Sequence, residues 1–204
     1  MAKKQKLLNV GGGSKAIAIP ACYEDFEHLL LDIDPKGAPD IVGDARELAN
    51  QKAGQFDAIY CSHNLEHYYA HEVPKVLAGF LHVLKPGGFA EIRVPDLDAV
   101  LRTWAERRMD IEDALYTSPM GPVRVRDVIY GYGPEIERSG HDFYAHKTGF
   151  TPNSLAAALN AAEFQTLVRR PGRAYEIVIV AFRKKPTASQ TKLMDLKLPA
   201  AAEP

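Results

Sequence analysis

Between residues 61 and 71 the chain reads Cys61-Ser62-His63-Asn64-Leu65-Glu66-His67-Tyr68-Tyr69-Ala70-His71. Imidazoles titrate near neutrality and a neighbouring carboxylate orients them, which is the material of general acid–base catalysis. His67 is the first candidate for a base, with Glu66 or another carboxylate holding its ring; the competing role is a ring that caps a turn or packs under the next helix. A second group, His141, Asp142, Phe143, Tyr144 and His146, lies far downstream. His141 is the second candidate catalytic residue, against the plainer role of a packed loop. His67, His141, His146 and Asp142 are all metal-ligand types, but nothing in their spacing brings them together, and no metal is expected. Tyr116, Tyr130, Tyr132, Phe143 and Tyr144 are candidate walls for an acceptor pocket, or the small core of their own segment.

A second constellation suits a nucleoside. Asn9-Val10-Gly11-Gly12-Gly13-Ser14 follows an apolar run, and glycine there lets backbone turn sharply and approach a ligand closely. Asp32 stands 21 positions after Gly11 at the end of another apolar run, where a carboxylate can accept from both hydroxyls of a ribose. Asp34 is the second candidate, but it lies beside Pro35, where the chain has turned. Gly11, Gly13 and Ala16 also satisfy the dinucleotide fingerprint, so an NAD-dependent oxidoreductase is a rival reading. Pro20 and sparse apolar spacing over residues 14–21 leave little room for the helix that holds a pyrophosphate, which favours a ligand without phosphates.

These residues need a scaffold. Apolar runs at residues 7–10, 28–33, 40–42, 56–61 and 89–94 alternate with helix-like segments, the pattern of βαβ units and a parallel sheet. Val76, Leu77, Phe80, Leu81 and Leu84 recur at helical spacing, Pro74 suits a first turn, and Lys85-Pro86-Gly87 ends the helix. A further helix is predicted over 97–108. Prolines 119, 122 and 134 with several glycines mark 116–149 as irregular. Thr151 and Pro152 read as N-cap and first residue of a helix that buries Leu155, Ala156, Leu159 and Ala162. The runs at 164–168 and 175–182 are joined too tightly for a parallel crossover, so they form a hairpin and one strand runs backwards. The expected architecture is a doubly wound α/β fold with a mostly parallel seven-stranded sheet and an antiparallel final hairpin strand. It makes one domain over 1–186, with an insertion at about 97–150 and a disordered tail over 187–204.

At 204 residues with 46% hydrophobic and 25% charged residues, the chain suits one globular domain. A net charge of -1 provides no field for nucleic acid or an anionic membrane, and the arginines of 102–138 are interleaved with acids. Lys3, Lys4 and Lys6 precede an apolar stretch too short for an export signal, and no apolar run is long enough to span a bilayer. Cys22 and Cys61 have no pairing or zinc spacing and are expected to be thiols of a cytoplasmic protein.

Further segments follow in order: Leu31-Asp32-Ile33-Asp34-Pro35, Gly43-Asp44-Ala45, the run from Phe56 to His67, and Leu84-Lys85-Pro86-Gly87-Gly88-Phe89. With the glycine segment they resemble, over residues 7–96, the small class I S-adenosylmethionine-dependent methyltransferases. The resemblance implies S-adenosylmethionine as cofactor and methyl transfer, and the near-neutral charge with the compact insertion points to a small-molecule or saccharide acceptor. It implies that Gly11 and Gly13 lie against the methionine part, Asp32 holds the ribose, Asp44 and the Ala45 amide meet the adenine, and Ser62 and His63 border the methionine end. Asn9 stands where many members carry Asp or Glu, which removes a negative charge from the cofactor's surroundings. A non-catalytic module that binds a nucleoside is the remaining alternative.

Overall fold

A strand buried on both faces reads as a nearly continuous apolar run, and β1 (Lys6–Val10) is such a strand: Leu7, Leu8 and Val10 are fully buried. The computed structural model describes residues 4–118 and 121–196. After β1 come β2 (Glu27–Asp32), β3 (Ile41–Val42), β4 (Phe56–Ser62), α1 (Val73–Val83), β5 (Leu84–Pro95) and α2 (Leu97–Arg107). The insertion holds β6 (Ala114–Ser118), β7 (Gly121–Arg124), α3 (Val125–Tyr130) and α4 (Gly133–Ser139). The chain then returns through α5 (Pro152–Ala161), β8 (Thr166–Arg170), β9 (Glu176–Phe182) and α6 (Ala188–Leu193).

The seven-stranded sheet has the order β3-β2-β1-β4-β5-β9-β8. Pairings from β3 to β5 are parallel, with Leu8 opposite Leu29 and Ile59. β9 is antiparallel to both β5 and β8, so it is the reversed strand the short link demanded. One face is covered by α1 and α5, which bury Val76, Leu77, Phe80, Leu155 and Leu159 in the larger core. The opposite face packs Tyr23, Phe26, Phe89, Phe182, Met194 and Leu196. No described helix is long and apolar enough to cross a membrane.

Thr151 caps α5 as expected, accepting from the Ser154 amide at 3.2 Å while the Ser154 hydroxyl accepts from the Thr151 amide at 2.8 Å. Two expectations need correction. The insertion is not irregular: β6 and β7 form a hairpin, and α3 and α4 follow it. Its prolines open elements instead of preventing them, since Pro134 lies in the first turn of α4 and Pro122 in a two-stranded ribbon whose edge needs no donor; Pro119 lies outside the described residues. The predicted tail is ordered through residue 196. Thr187 and Gln190 close a capping box at α6, and Met194 and Leu196 are buried against the sheet. Six helical residues are too few to show a periodicity, and the rest of the expected tail, 197–204, lies outside the described residues.

Candidate active site

Strand order reverses between β1 and β4, which opens a crevice at the carboxyl ends of the parallel strands. The loop after β1 enters it with Gly11 and Gly13 both at φ +68°, a conformation that glycine alone adopts freely. A Cβ on Gly11 would collide with the Asn64 side chain, so bare backbone is what lets this loop lie against the segment after β4. The Gly13 amide donates to Asp32 Oδ2 at 2.8 Å and the Asp34 amide to Asp32 Oδ1 at 2.9 Å. A carboxylate offers about four acceptor positions, so roughly half remain for hydroxyls of a ligand. Beneath the loop Asn9 is buried; its Nδ2 stands 3.2 Å from His28 Nε2, and its Oδ1 has no hydrogen-bond partner. A buried orphan acceptor is costly unless a ligand donor meets it.

Beyond β3, Asp44 caps a 3-10 turn by accepting from the Arg46 amide at 2.8 Å, and it accepts from Arg46 Nε at 2.9 Å. Burial would raise the Asp44 carboxyl, but the bonds and charge of Arg46 prevail and hold it below its ordinary value. Ala45 is buried directly behind it. Asp34 accepts from the Lys36 amide at 2.9 Å and from the Tyr144 hydroxyl at 2.8 Å, which ties the insertion to the end of β2. Burial and the Asp34 charge push the Tyr144 hydroxyl up to about 12.

A chain of alternating charge runs from the core to the crevice. Buried Glu91 accepts from the Tyr23 hydroxyl at 2.9 Å and from Arg93 Nε at 2.8 Å and Nη2 at 2.6 Å. Arg93 Nη1 lies 3.6 Å from Glu176 Oε2, and Glu176 Oε1 lies 3.1 Å from His63 Nε2. The other ring nitrogen of His63 stands 3.4 Å from Glu66 Oε1, which His146 Nε2 approaches to 4.0 Å. Burial would depress His63, but Glu176 and Glu66 outweigh it and raise its pKa to about 10. Its ring is half exposed, so water screens part of both ion pairs. Glu176 and Glu66 are in turn held low against their burial, by His63 above all. His63 also carries a strained backbone, φ 50°, with its amide donating to the Arg93 carbonyl at 2.9 Å.

This network borders a cavity of about 640 Å³ whose wall includes Ser62, His63, Arg93, Tyr116, Tyr132 and Glu176. The volume and mixed lining suit a small organic ligand. Of the expected cofactor residues, Ser62 and His63 reach this wall, while Asn9, Gly11, Gly13, Asp32, Asp44 and Ala45 lie along the strand ends beside it. Neither expected catalytic histidine reaches it. His67 turns its Nδ1 to the Ala145 carbonyl at 3.1 Å and its ring edge to His146, and burial depresses its pKa. His141 is exposed and stacks on Phe143. Tyr116 and Tyr132 are walls as expected, whereas Tyr130, Phe143 and Tyr144 are not.

Sequence reasoning missed Glu91, Arg93 and Glu176. Their signal was present: charges at alternate positions of an otherwise apolar strand point into the protein, and they persist there only when paired. It also expected no convergence of histidines, yet His67 and His146 meet at Glu66. The Lys147 and Thr148 amides donate to the Glu66 carbonyl at 2.9 and 3.1 Å, a long-range contact that spacing cannot reveal.

Comparison with known proteins places this geometry. A family model described as a methyltransferase domain matches residues 2–168. Among solved structures, the PH0226 protein from Pyrococcus horikoshii is similar at 18% identity and a TM-score of 0.58, over 89% of this chain and 83% of that one. A SAM-dependent methyltransferase from Archaeoglobus fulgidus is similar at 14% identity and a TM-score of 0.55, over 88% and 86%. A SAM-dependent methyltransferase from Thermotoga maritima, described as a possible histamine N-methyltransferase, matches at 14% and 0.55, over 90% and 84%. No curated protein matches the sequence.

Proposed function

Because the chain belongs to the methyltransferase-domain family, we propose that it transfers the methyl group of S-adenosylmethionine to a small polar acceptor, a saccharide or another hydroxyl- or amine-bearing molecule, seated in the cavity under the insertion. The observation that carries this reading is the position of that cavity. It opens at the carboxyl ends of β4 and β5, beside a bare glycine loop and an acidic β2 terminus. The residues fit the cofactor: left-handed glycines admit close approach, Asn9 Oδ1 lacks a donor, and Asp32 has acceptor capacity left. Gly11, Gly13 and Asn9 would hold the methionine part, Asp32 the ribose, Asp44 and Ala45 the adenine side, and Ser62 and His63 the passage to the acceptor. When bound, the cofactor supplies an electrophilic methyl on a sulfonium.

This chain's own residues then align and enclose. Ionised Glu176 accepts a hydrogen bond from an acceptor hydroxyl or amine, and Tyr116 and Tyr132 flank it. His63 keeps its proton at neutral pH and serves as a donor, not a base. His67 does not touch the cavity and holds the Ala145 backbone through its ring. Holding donor and acceptor close and in line is the main source of acceleration for such a displacement. The NAD reading is disfavoured by the chain after Gly13, where a three-residue 3-10 turn, Ala21–Tyr23, replaces the helix a pyrophosphate requires. A cytoplasmic setting completes the reading and suits the free thiols of Cys22 and Cys61.

Calorimetric titration with S-adenosylmethionine, S-adenosylhomocysteine and NAD tests the proposal. The expected result is micromolar binding of the first two and none of NAD, with Asp32→Ala weakening both by about 1.5–3 kcal/mol, the worth of a charge-assisted bond. NAD binding alone overturns it. Cofactor binding without turnover across a panel of sugars and small amines leaves the non-catalytic nucleoside-binding module as the reading.

A further inference from the structure

We propose that Glu66, His67 and His146 form a site for one divalent transition-metal ion of the zinc class, which fastens the insertion to the loop after β4. One ligand atom from each of the three side chains lies within 4.8 Å of the others. Bonds of about 2.0–2.2 Å put ligand atoms roughly 3–4 Å apart, so a small contraction of side chains closes the set.

Two further observations point to a ligand. Glu66 is 1% exposed, yet neither carboxylate oxygen has a hydrogen-bond partner. Its nearest cation, His63, stands 3.4 Å from Oε1, which leaves Oε2 unserved. His63 thus serves one oxygen at most, and the buried Oε2, with no hydrogen bond of its own, is the atom that a second cation would meet. The histidines are also prepared as ligands. Nδ1 of His67 donates to the Ala145 carbonyl at 3.1 Å, and Nδ1 of His146 to the Val128 carbonyl at 2.8 Å. A carbonyl only accepts, so Nδ1 carries a proton in both rings and Nε2 is the nitrogen through which each would ligate, the outer arrangement that metal-bound histidines commonly show.

The donor set selects the ion. Two imidazoles and one carboxylate suit zinc and its first-row neighbours, whereas magnesium and calcium favour all-oxygen shells. The ligands come from two segments about 80 positions apart, so the ion would join them as a clasp beside the wall that His146 shares with the cavity. This inference does not depend on the methyltransferase reading, because metal and cofactor titrations fail independently.

The test is titration of the chelator-treated full chain with zinc chloride, followed by X-ray absorption at the zinc edge. The expected result is one tight equivalent per chain, a first shell of nitrogen and oxygen with imidazole scattering, and a higher melting temperature. Loss of one ligand in His146→Asn or Glu66→Gln should weaken binding beyond the roughly 10–100-fold that outer partners contribute. His141→Ala, outside the cluster, should bind as the unmodified chain does. Absence of a stoichiometric site, a first shell without imidazole, or equal affinity in a folded His146→Asn variant each overturns the proposal. The absorption measurement needs only the unmodified chain, so a variant that fails to fold does not shelter it.

Discussion

His63 occupies a left-handed backbone conformation between two glutamates that hold its proton. Its pKa is raised to about 10 in the folded chain from an ordinary 6.5. Its contribution to stability is therefore complete below about pH 6.5 and is lost as pH rises towards 10. Unfolding free energy measured against pH should fall across that window in the unmodified chain and stay flatter in His63→Gln. An imidazole resonance that titrates near pH 6.5 would remove the ion pairs from the account. At this scale the sequence was legible in part. Asp32 was legible at the β2 terminus because it closes an apolar run, whereas Ser62 and His63, now found in the cavity wall, were singled out through the family resemblance. His67 and His141 were singled out by chemical type, which carries no information about the direction a ring faces.

Elements were the most legible layer, because capping and periodicity are local. Thr151-Pro152 predicted the start of α5, and the structure has the reciprocal cap there. Thr151→Ala should cost about 1 kcal/mol and lower the melting temperature by about 2–4 °C. An unchanged transition in calorimetry would mean that Pro152 and the burial of Leu155 and Leu159 suffice to hold the entry. The spacing around Val76 and Phe80 predicted α1 to within a residue at either end. The insertion was less legible: its strands have four or five residues, and its proline and glycine content reads as loop when the elements they open are this short.

For the molecule as a whole, alternation of strand and helix predicted the parallel sheet, and the short link predicted the reversed strand. Composition misjudged the carboxyl-terminal segment, because Leu193, Met194, Leu196 and Leu198 fall within a stretch too short and too polar to show a pattern. Met194 is nonetheless buried on the sheet face that Tyr23 and Phe182 share. Met194→Ala should lower stability by about 2–5 kcal/mol, read as an earlier denaturant midpoint. A change within about 0.5 kcal/mol would return this segment to the surface. The insertion has a cluster of its own, Leu115, Val125 and Val128 resting on Val100 of α2. Because that cluster is separate from the two that hold the sheet, exchanging the segment would require refitting its apolar contacts against Val100, Leu97 and Tyr175. Tyr144, Ala145 and His146, which anchor it to β2 and to the loop after β4, follow that cluster in the chain and stay behind in such an exchange. On the proposed function, exchange of residues 110–140 would recast the side of the cavity that Tyr116 and Tyr132 line, while His63, Arg93 and Glu176 would pass unchanged to the new protein as its fixed wall.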